Sequence, residues 1–221
     1  MNACFVTGTD TGIGKTRVAA ALLHKLALQG KRVVGMKPVA SGAVWHAGVQ
    51  EWEDVSQLAA ASTVSTPLEW RNPYRFDAPI SPHLAAQQAD VQIELSTIRA
   101  AYEQLQAMAD WVVVEGAGGW YAPLNEGQSM ADLARALNIP VVLVAGIRLG
   151  CINHAVLTAQ AIIRDGMPFA GWVANIVDKD MLLAEENIDS IRTRLSAPLL
   201  GVLPWDPQAD LGDVAARLRN F

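Results

Sequence analysis

Lys15 and Thr16 close the stretch GTDTGIGKT (Gly8–Thr16), whose composition suits a loop that wraps a phosphate. Within Gly12-Ile13-Gly14 the glycines let the backbone turn its N–H groups toward an anion, and a helix starting at Lys15 adds partial positive charge. Lys15 supplies a full charge near the β and γ oxygens of a nucleotide, and the Thr16 hydroxyl is placed to bind Mg²⁺. The spacing departs from G-x-x-x-x-G-K-[ST] at one point: Thr9 stands where the first glycine belongs, and Gly8 comes one place early. The loop still works if residue 9 needs no positive φ.

More residues able to do chemistry sit at the ends of apolar runs. Lys37 and Ser41 lie in MKPVASG (Met36–Gly42), and each stays ambiguous alone. Lys37 reads either as a second cation clamping a transferring phosphoryl group or as a solvated surface lysine. Glu115 ends VVVE and reads either as a Mg²⁺ partner facing the loop or as a satisfied polar residue at a strand end. Glycines at 116, 118 and 119 permit close approach of backbone to a ligand. The Asn175 amide offers a donor and an acceptor to a base edge, and Pro204-Trp205 could cover that base; a core tryptophan is the alternative.

These residues need a frame that gathers strand ends. Six apolar runs read as strands: 3–7, 32–38, 110–116, 140–146, 169–177 and 197–204. Helical patterns follow at 16–30, 94–109, 129–137, 152–165 and 181–195. Buried strands alternating with helices predict an α/β fold, a parallel sheet with helices on both faces, as in the three-layer sandwich of P-loop NTPases. In such sheets ligands bind at the carboxyl ends of the strands. With neither repeat nor linker in 221 residues, the chain reads as one domain over 1–221. A net charge of −5 argues against nucleic acid. No apolar run is long enough to span a bilayer, and the sequence predicts no signal peptide, hence a cytoplasmic protein. Cys4 and Cys151 have no disulfide or metal-ligand pattern, and no catalytic thiol is expected.

Taken together, GTDTGIGKT, KPVASG, VEGAGGWYAPL, LGCINHAVLTAQ, GWVAN and APLLGVLPW resemble the dethiobiotin synthetase family over about residues 5–206. The loop alone is shared with many NTPases; KPVASG with EGAGGW and GCINHA is far more specific, because no general requirement of nucleotide binding demands those three. The resemblance implies an ATP- and Mg²⁺-dependent ligase of biotin synthesis. Its diamine substrate, 7,8-diaminononanoate, takes up CO₂ as a carbamate, ATP phosphorylates the carbamate, and ring closure gives dethiobiotin, ADP and phosphate. It further implies that Lys15 and Lys37 serve phosphoryl transfer, with Thr11 near the γ-phosphate and carbamate. Ser41 would touch the diamine or carbamate, and Thr16, Asp54 and Glu115 would hold Mg²⁺. Gly116, Ala117 and Gly118 would line the nucleotide site, and Asn175 and Pro204-Trp205-Asp206 would meet the adenine. The assignment of Asp54 rests on the resemblance, because several acidic residues lie nearby in EWEDVSQL. Gly12 and Asn187 depart from family members that carry Glu and Tyr there.

The family also implies a homodimer, with Gly150, Cys151, Ile152 and Asn153 meeting the diamine carboxylate of the partner's site. The sequence presents these residues at the start of a helix whose inward face reads as Ile152, Val156, Ala159 and Ile163, stopped by Gly166. From the residues alone this is an ordinary capped helix with Asn153 as a local turn former; the carboxylate site is what the resemblance implies. Two rivals share the loop. A partition-type switch ATPase carries a signature lysine where this chain has Asp10. A cobalamin-type amidoligase needs a glutaminase domain for which 221 residues leave no room.

Overall fold

The computed structural model describes residues 2–46 and 48–219. In chain order the elements begin β1 (Ala3–Gly8), α1 (Lys15–Leu28), β2 (Val33–Met36), β3 (Val39–Ser41), β4 (Val44–His46) and β5 (Val49–Glu51). Then come α2 (Glu53–Ala61), α3 (Leu68–Arg71), β6 (Tyr74–Phe76), α4 (Pro82–Gln88), α5 (Leu95–Met108) and β7 (Trp111–Glu115). The chain continues through α6 (Met130–Leu137), β8 (Val141–Ile147), α7 (Cys151–Arg164), β9 (Phe169–Ile176), α8 (Ala184–Arg192), β10 (Leu199–Leu203) and α9 (Leu211–Ala216). The six runs that read as strands are the six strands of one sheet, in the order β10-β9-β8-β1-β7-β2, every neighbour pair parallel. β1 pairs with β7 on one side and β8 on the other, so the order reverses at the strand that feeds the phosphate loop.

Side-chain alternation makes the layers. In β1, Ala3 and Phe5 enter a core shared with α5, α6 and α7, while Cys4 and Val6 enter a second core against α1. Val112 and Val114 of β7 take the first side and Val113 the second. Both faces exclude water, which is why these strands are apolar throughout. Gly35 sets one spacing: a Cβ there would lie 2.8 Å from Leu58 Cβ and 2.9 Å from Leu23 Cδ1, so α1 and α2 sit directly on β2. The C-terminal stretch left without a role in the sequence packs α9 along α1 and ties Arg219 N to Leu200 O at 2.6 Å. Its last two residues, and Met1 at the other end of the 1–221 span, lie outside the described residues.

The structure differs from the sequence reading in three places. A short parallel pair, β3 with β6, and an antiparallel hairpin, β4 with β5, lie outside the main sheet. Each of these strands is three residues long, too brief to show a period. The last predicted helix runs only from Ala184, after Leu183 at φ 55°. The inward face of α7 is Cys151, Ala155, Ala159 and Ile162, while Ile152 and Val156 are partly covered and Ile163 is exposed. The inward stripe is mostly small residues, which let the helix approach the sheet closely, with Ile162 buried near its end.

Candidate active site

The phosphate loop is seated by Ile13. Its side chain is 2% exposed and fills a socket between two glycines. A Cβ on Gly8 would stand 2.7 Å from Ile13 Cδ1, and one on Gly146 2.5 Å from Ile13 Cγ2. Only the backbone of Ile13 remains to face a nucleotide, and its carbonyl accepts 2.7 Å from Asn175 Nδ2. Gly14 caps α1 at φ +87°, with no side-chain cap, so the first-turn N–H groups are left for an anion. Thr9 does not adopt a positive φ; its N donates to Val144 O at 3.0 Å and its Oγ1 accepts from Gly146 N at 3.2 Å. Strand contacts therefore do the work of the missing glycine. Asp10 stiffens the front of the loop: Oδ1 accepts from Thr11 N at 2.7 Å, Oδ2 pairs with Arg148, and the carbonyl accepts 2.7 Å from Lys15 Nζ. Burial lowers the Lys15 pKa to about 8, and the neighbouring Lys37 pushes the same way.

Lys37, Asp54, Glu115 and Thr16 form one cluster. Lys37 Nζ lies 2.7 Å from Asp54 Oδ2, 2.6 Å from Glu115 Oε1 and 3.4 Å from Gly116 O. It is 4% exposed, which ends its reading as a surface lysine. Burial alone would push its ammonium toward neutrality, but the two carboxylates outweigh that and hold it charged. Burial also works against Asp54, yet Lys37 keeps that carboxyl below its usual range. Thr16 Oγ1 lies 2.8 Å from Asp54 Oδ1 and 2.9 Å from Glu115 Oε1. One hydroxyl proton serves only one of them at a time. Glu115 Oε2 is buried without a partner. Among the described residues no group of three His, Cys, Asp or Glu side chains gathers. Two carboxylates and a hydroxyl are nevertheless hard oxygen donors that fit a Mg²⁺ ion completed by phosphate and water oxygens.

A cleft of about 980 Å³ opens over this cluster. Thr11, Gly12, Gly14, Lys15, Thr16, Lys37, Ser41, Asp54, Glu115, Ala117 and Gly118 of the sequence-derived set line it. So does Gly119, one of the three glycines expected to let backbone approach a ligand, and so do Arg17, Gln57 and the segment 79–82 with Leu84, which no sequence motif marks. For 79–84 the sequence carries one signal, Ser81 before Pro82, which starts a helix at the cleft rim. Arg17 also ties α1 to the loop after β10, donating to Asp206 O at 2.6 Å. Pro204-Trp205-Asp206 thus lies beside the first turn of α1, with Trp205 half exposed rather than in the core.

The structure does not bring Gly150, Cys151, Ile152 and Asn153 into this cleft. Gly150 opens α7 at φ +93° with no side-chain cap, and Asn153 is exposed. Asn175 is closed in under the loop: its donor is committed to Ile13, and its Oδ1 is buried without a partner. A bidentate contact with a base requires the amide to turn outward. Asn187 is half-buried, and its amide donates back to Leu183 O at 2.8 Å.

Both thiols are buried away from the cleft, and burial pushes Cys4 up to about 12. The folded protein should leave an aromatic disulfide reagent unreacted and release both thiols on denaturation. A Cys4→Ala, Cys151→Ser variant should keep its activity; complete loss with an intact circular dichroism spectrum would point to covalent chemistry.

A phosphate loop after a central strand, two lysines and a hydroxyl–carboxylate cluster define an α/β nucleotide-binding protein of the P-loop class. Solved structures share the fold: the MinC:MinD cell division complex of Aquifex aeolicus has a TM-score of 0.58 at 14% identity, over 97% of this chain and 86% of that one. A ParA family ATPase from Chlorobium tepidum has a TM-score of 0.58 at 14% identity, over 98% and 90%. A family model described as an AAA domain matches residues 2–211. The chain is 52% identical to the ATP-dependent dethiobiotin synthetase BioD of Aromatoleum aromaticum over 98% of this chain and 96% of that protein. It is 51% identical to its counterpart in Nitrosospira multiformis, over 97% and 93%. The chain belongs to the dethiobiotin synthetase family and is an ATP-dependent ligase.

Proposed function

We propose that this chain, as a single P-loop domain over 1–221, converts 7,8-diaminononanoate, CO₂ and ATP to dethiobiotin, ADP and phosphate. The observation that carries the reading is the convergence of Lys15, Lys37 and Thr11 on one cleft with Thr16, Asp54 and Glu115. One diamine nitrogen takes up CO₂ as a carbamate. A carbamate oxygen then attacks the γ-phosphorus as the bond to ADP breaks. The second nitrogen attacks the carbonyl carbon of the mixed anhydride, phosphate leaves, and the cyclic urea closes.

This sequence brings negative groups together and asks little acid–base work of the protein. Lys15, at the head of α1, neutralises the phosphates as it leaves the Asp10 carbonyl. Lys37 approaches from the opposite strand end and stabilises charge on the transferring group. Thr11 and Ser41, on the cleft wall, orient the carbamate and the diamine. When bound, Mg²⁺ held by Thr16, Asp54 and Glu115 offsets charge on the nucleotide phosphates. Asn175 and Pro204–Asp206 receive the adenine.

The site is completed in a homodimer, with Gly150–Asn153 delivered to the partner's cleft. Two features support this: those residues turn away from their own cleft, and Leu149, Leu157 and Ile163 leave apolar surface exposed along and before α7. The free thiols suit a reducing cytoplasm, and no helix among the described residues is long and apolar enough to cross a membrane.

Mass spectrometry of products from ATP, Mg²⁺, ¹³C-bicarbonate and the diamine tests the reaction. A cyclic urea carrying the label is expected; ATP hydrolysis without ring formation would sink the reading. A second experiment concerns the metal. Lys37 already takes the place of a cation between Asp54 and Glu115. Mn²⁺, followed by its electron paramagnetic resonance signal, should stay free when mixed with the protein alone and bind once ATP is added. Tight binding without nucleotide would show that the lysine does not guard the carboxylates.

A further inference from the structure

Asp165 occupies the C-cap of α7, where the helix dipole disfavours a carboxylate. Its Oδ2 accepts two aromatic donors, Trp120 Nε1 at 2.8 Å and Tyr121 OH at 2.9 Å. Arg164 Nη2 donates to the same Tyr121 oxygen at 2.7 Å. The phenol thus passes its proton toward the carboxylate and accepts from the guanidinium, a continuous chain from α7 to the loop.

That loop is the glycine strip Gly116–Gly119, three residues of which follow Glu115 into the cleft wall. Its inner side is fixed by contact. A Cβ on Gly116 would lie 3.1 Å from the Phe5 ring, and Gly118, at φ +64°, has room for none: it would meet Ala122 Cβ at 3.0 Å and approach Thr11 Oγ1 to 3.7 Å. Trp120 packs edge-on against Phe5, ring centroids 6.5 Å apart. The outer side is different. Behind Trp120 and Tyr121 lies an open hollow of about 540 Å³, bounded by Leu157, Thr158, Ala161 and Arg164. Within one chain packing leaves that side open, and the hydrogen bonds to Asp165 tie it to α7.

We infer that Asp165 is a positioning residue for the ligase reaction: by anchoring Trp120 and Tyr121 to α7 it fixes the glycine strip, and with it the wall beside Thr11 and Lys37. The inference rests on the reading that the diamine carbamate is held against this wall. Asp165 touches no reacting atom; it acts through the two aromatic rings.

The test compares Asp165→Ala with Asp165→Asn, whose amide oxygen can still accept from both donors. Asp165→Ala should lower kcat about ten- to a hundredfold, the range expected when a reacting group is displaced by about an ångström or less. Its ATP Kd, measured by equilibrium titration, should change far less than kcat, because the cradle from Gly12 to Thr16, which holds the phosphates, is not in contact with Asp165. Asp165→Asn should recover most of the rate. The Trp120 indole N–H resonance, assigned by its absence in Trp120→Phe, should move upfield in the alanine variant and return in the asparagine variant. Tyr121→Phe, at a half-exposed ring, removes one donor without emptying the core and should give part of the loss. Wild-type kcat in folded Asp165→Ala would overturn the inference. So would a rate loss matched by an equal loss of ATP affinity, or one that asparagine does not relieve. If the wild-type protein makes no cyclic urea, the functional reading fails instead, and the two failures are told apart by that control.

Discussion

Lys37→Gln is expected to bind ATP close to wild-type affinity and to turn over about a hundredfold or more slowly. The argument is geometric. Lys15 lies in the phosphate cradle, whereas Lys37 comes from the end of β2 and faces the cradle across Glu115 and Asp54. Losing a preorganised charge at a transferring group costs about 3 kcal/mol of transition-state stabilisation, and little of that belongs to the ground state. Lys15→Gln should show the opposite emphasis, with ATP binding weakened first. The substitution at 37 has a structural side as well: it leaves two carboxylates close together, one 1% exposed, without their cation. Breaking one side of a buried pair costs about 3–5 kcal/mol, so the melting temperature should fall too, and assays belong well below it. Isothermal titration with ATP and single-turnover kinetics separate the effects. Near-wild-type turnover in Lys37→Gln would remove the residue from the reaction.

Mixing two dead variants should restore activity. Lys15→Ala disables the phosphate cradle, and Asn153→Asp places a like charge where the diamine carboxylate is proposed to dock. Each homodimer carries its lesion in both sites. If α7 of one chain serves the cleft of the other, a heterodimer holds one site with both lesions and one with neither. Random exchange in an equal mixture then gives about a quarter of the wild-type sites. The motive is that α7 starts with an uncapped first turn outside its own cleft. The dipole of one helix supplies only about 0.3–1 kcal/mol, so direct N–H bonds and the Asn153 amide must provide most of the hold. Failure to regain activity, with subunit exchange demonstrated by mass, would place each site within one chain.

What could be read from the residues, and what could not, divides by mechanism. The six strands were legible because both faces of each are buried, which leaves uninterrupted apolar runs such as Val112–Val114 and Val141–Val144. Strand ends then carried Lys37, Glu115 and Asn175 to one edge of the sheet by topology alone. Asp54 was different. Nothing local distinguishes it from Glu51 or Glu53; it is selected by the docking of α2 on β2 through Leu58 and Gly35, a long-range contact. The face of α7 was not legible because that helix carries apolar residues on two sides, and only the docked helix shows which of them meets the sheet. The Asn175 amide was correctly placed at a strand end, but its bond to Ile13 O depends on a close approach that only the folded loop creates. Segment 79–84 has no periodicity long enough to reveal a wall.

The socket beneath Ile13 has a thermodynamic consequence. In many phosphate-binding loops the anion itself organises the backbone, and part of its affinity is lost to ordering. Here a buried aliphatic plug, two glycines with no room for a methyl group and the Asn175 bond already hold the backbone of residues 8–14 in shape. Fixing one residue costs about 1–2 kcal/mol of conformational entropy, and for this stretch folding has met that cost before a nucleotide arrives. Association of the phosphates is therefore a docking event rather than a folding one, with its entropy set by water and counterions instead of by the chain.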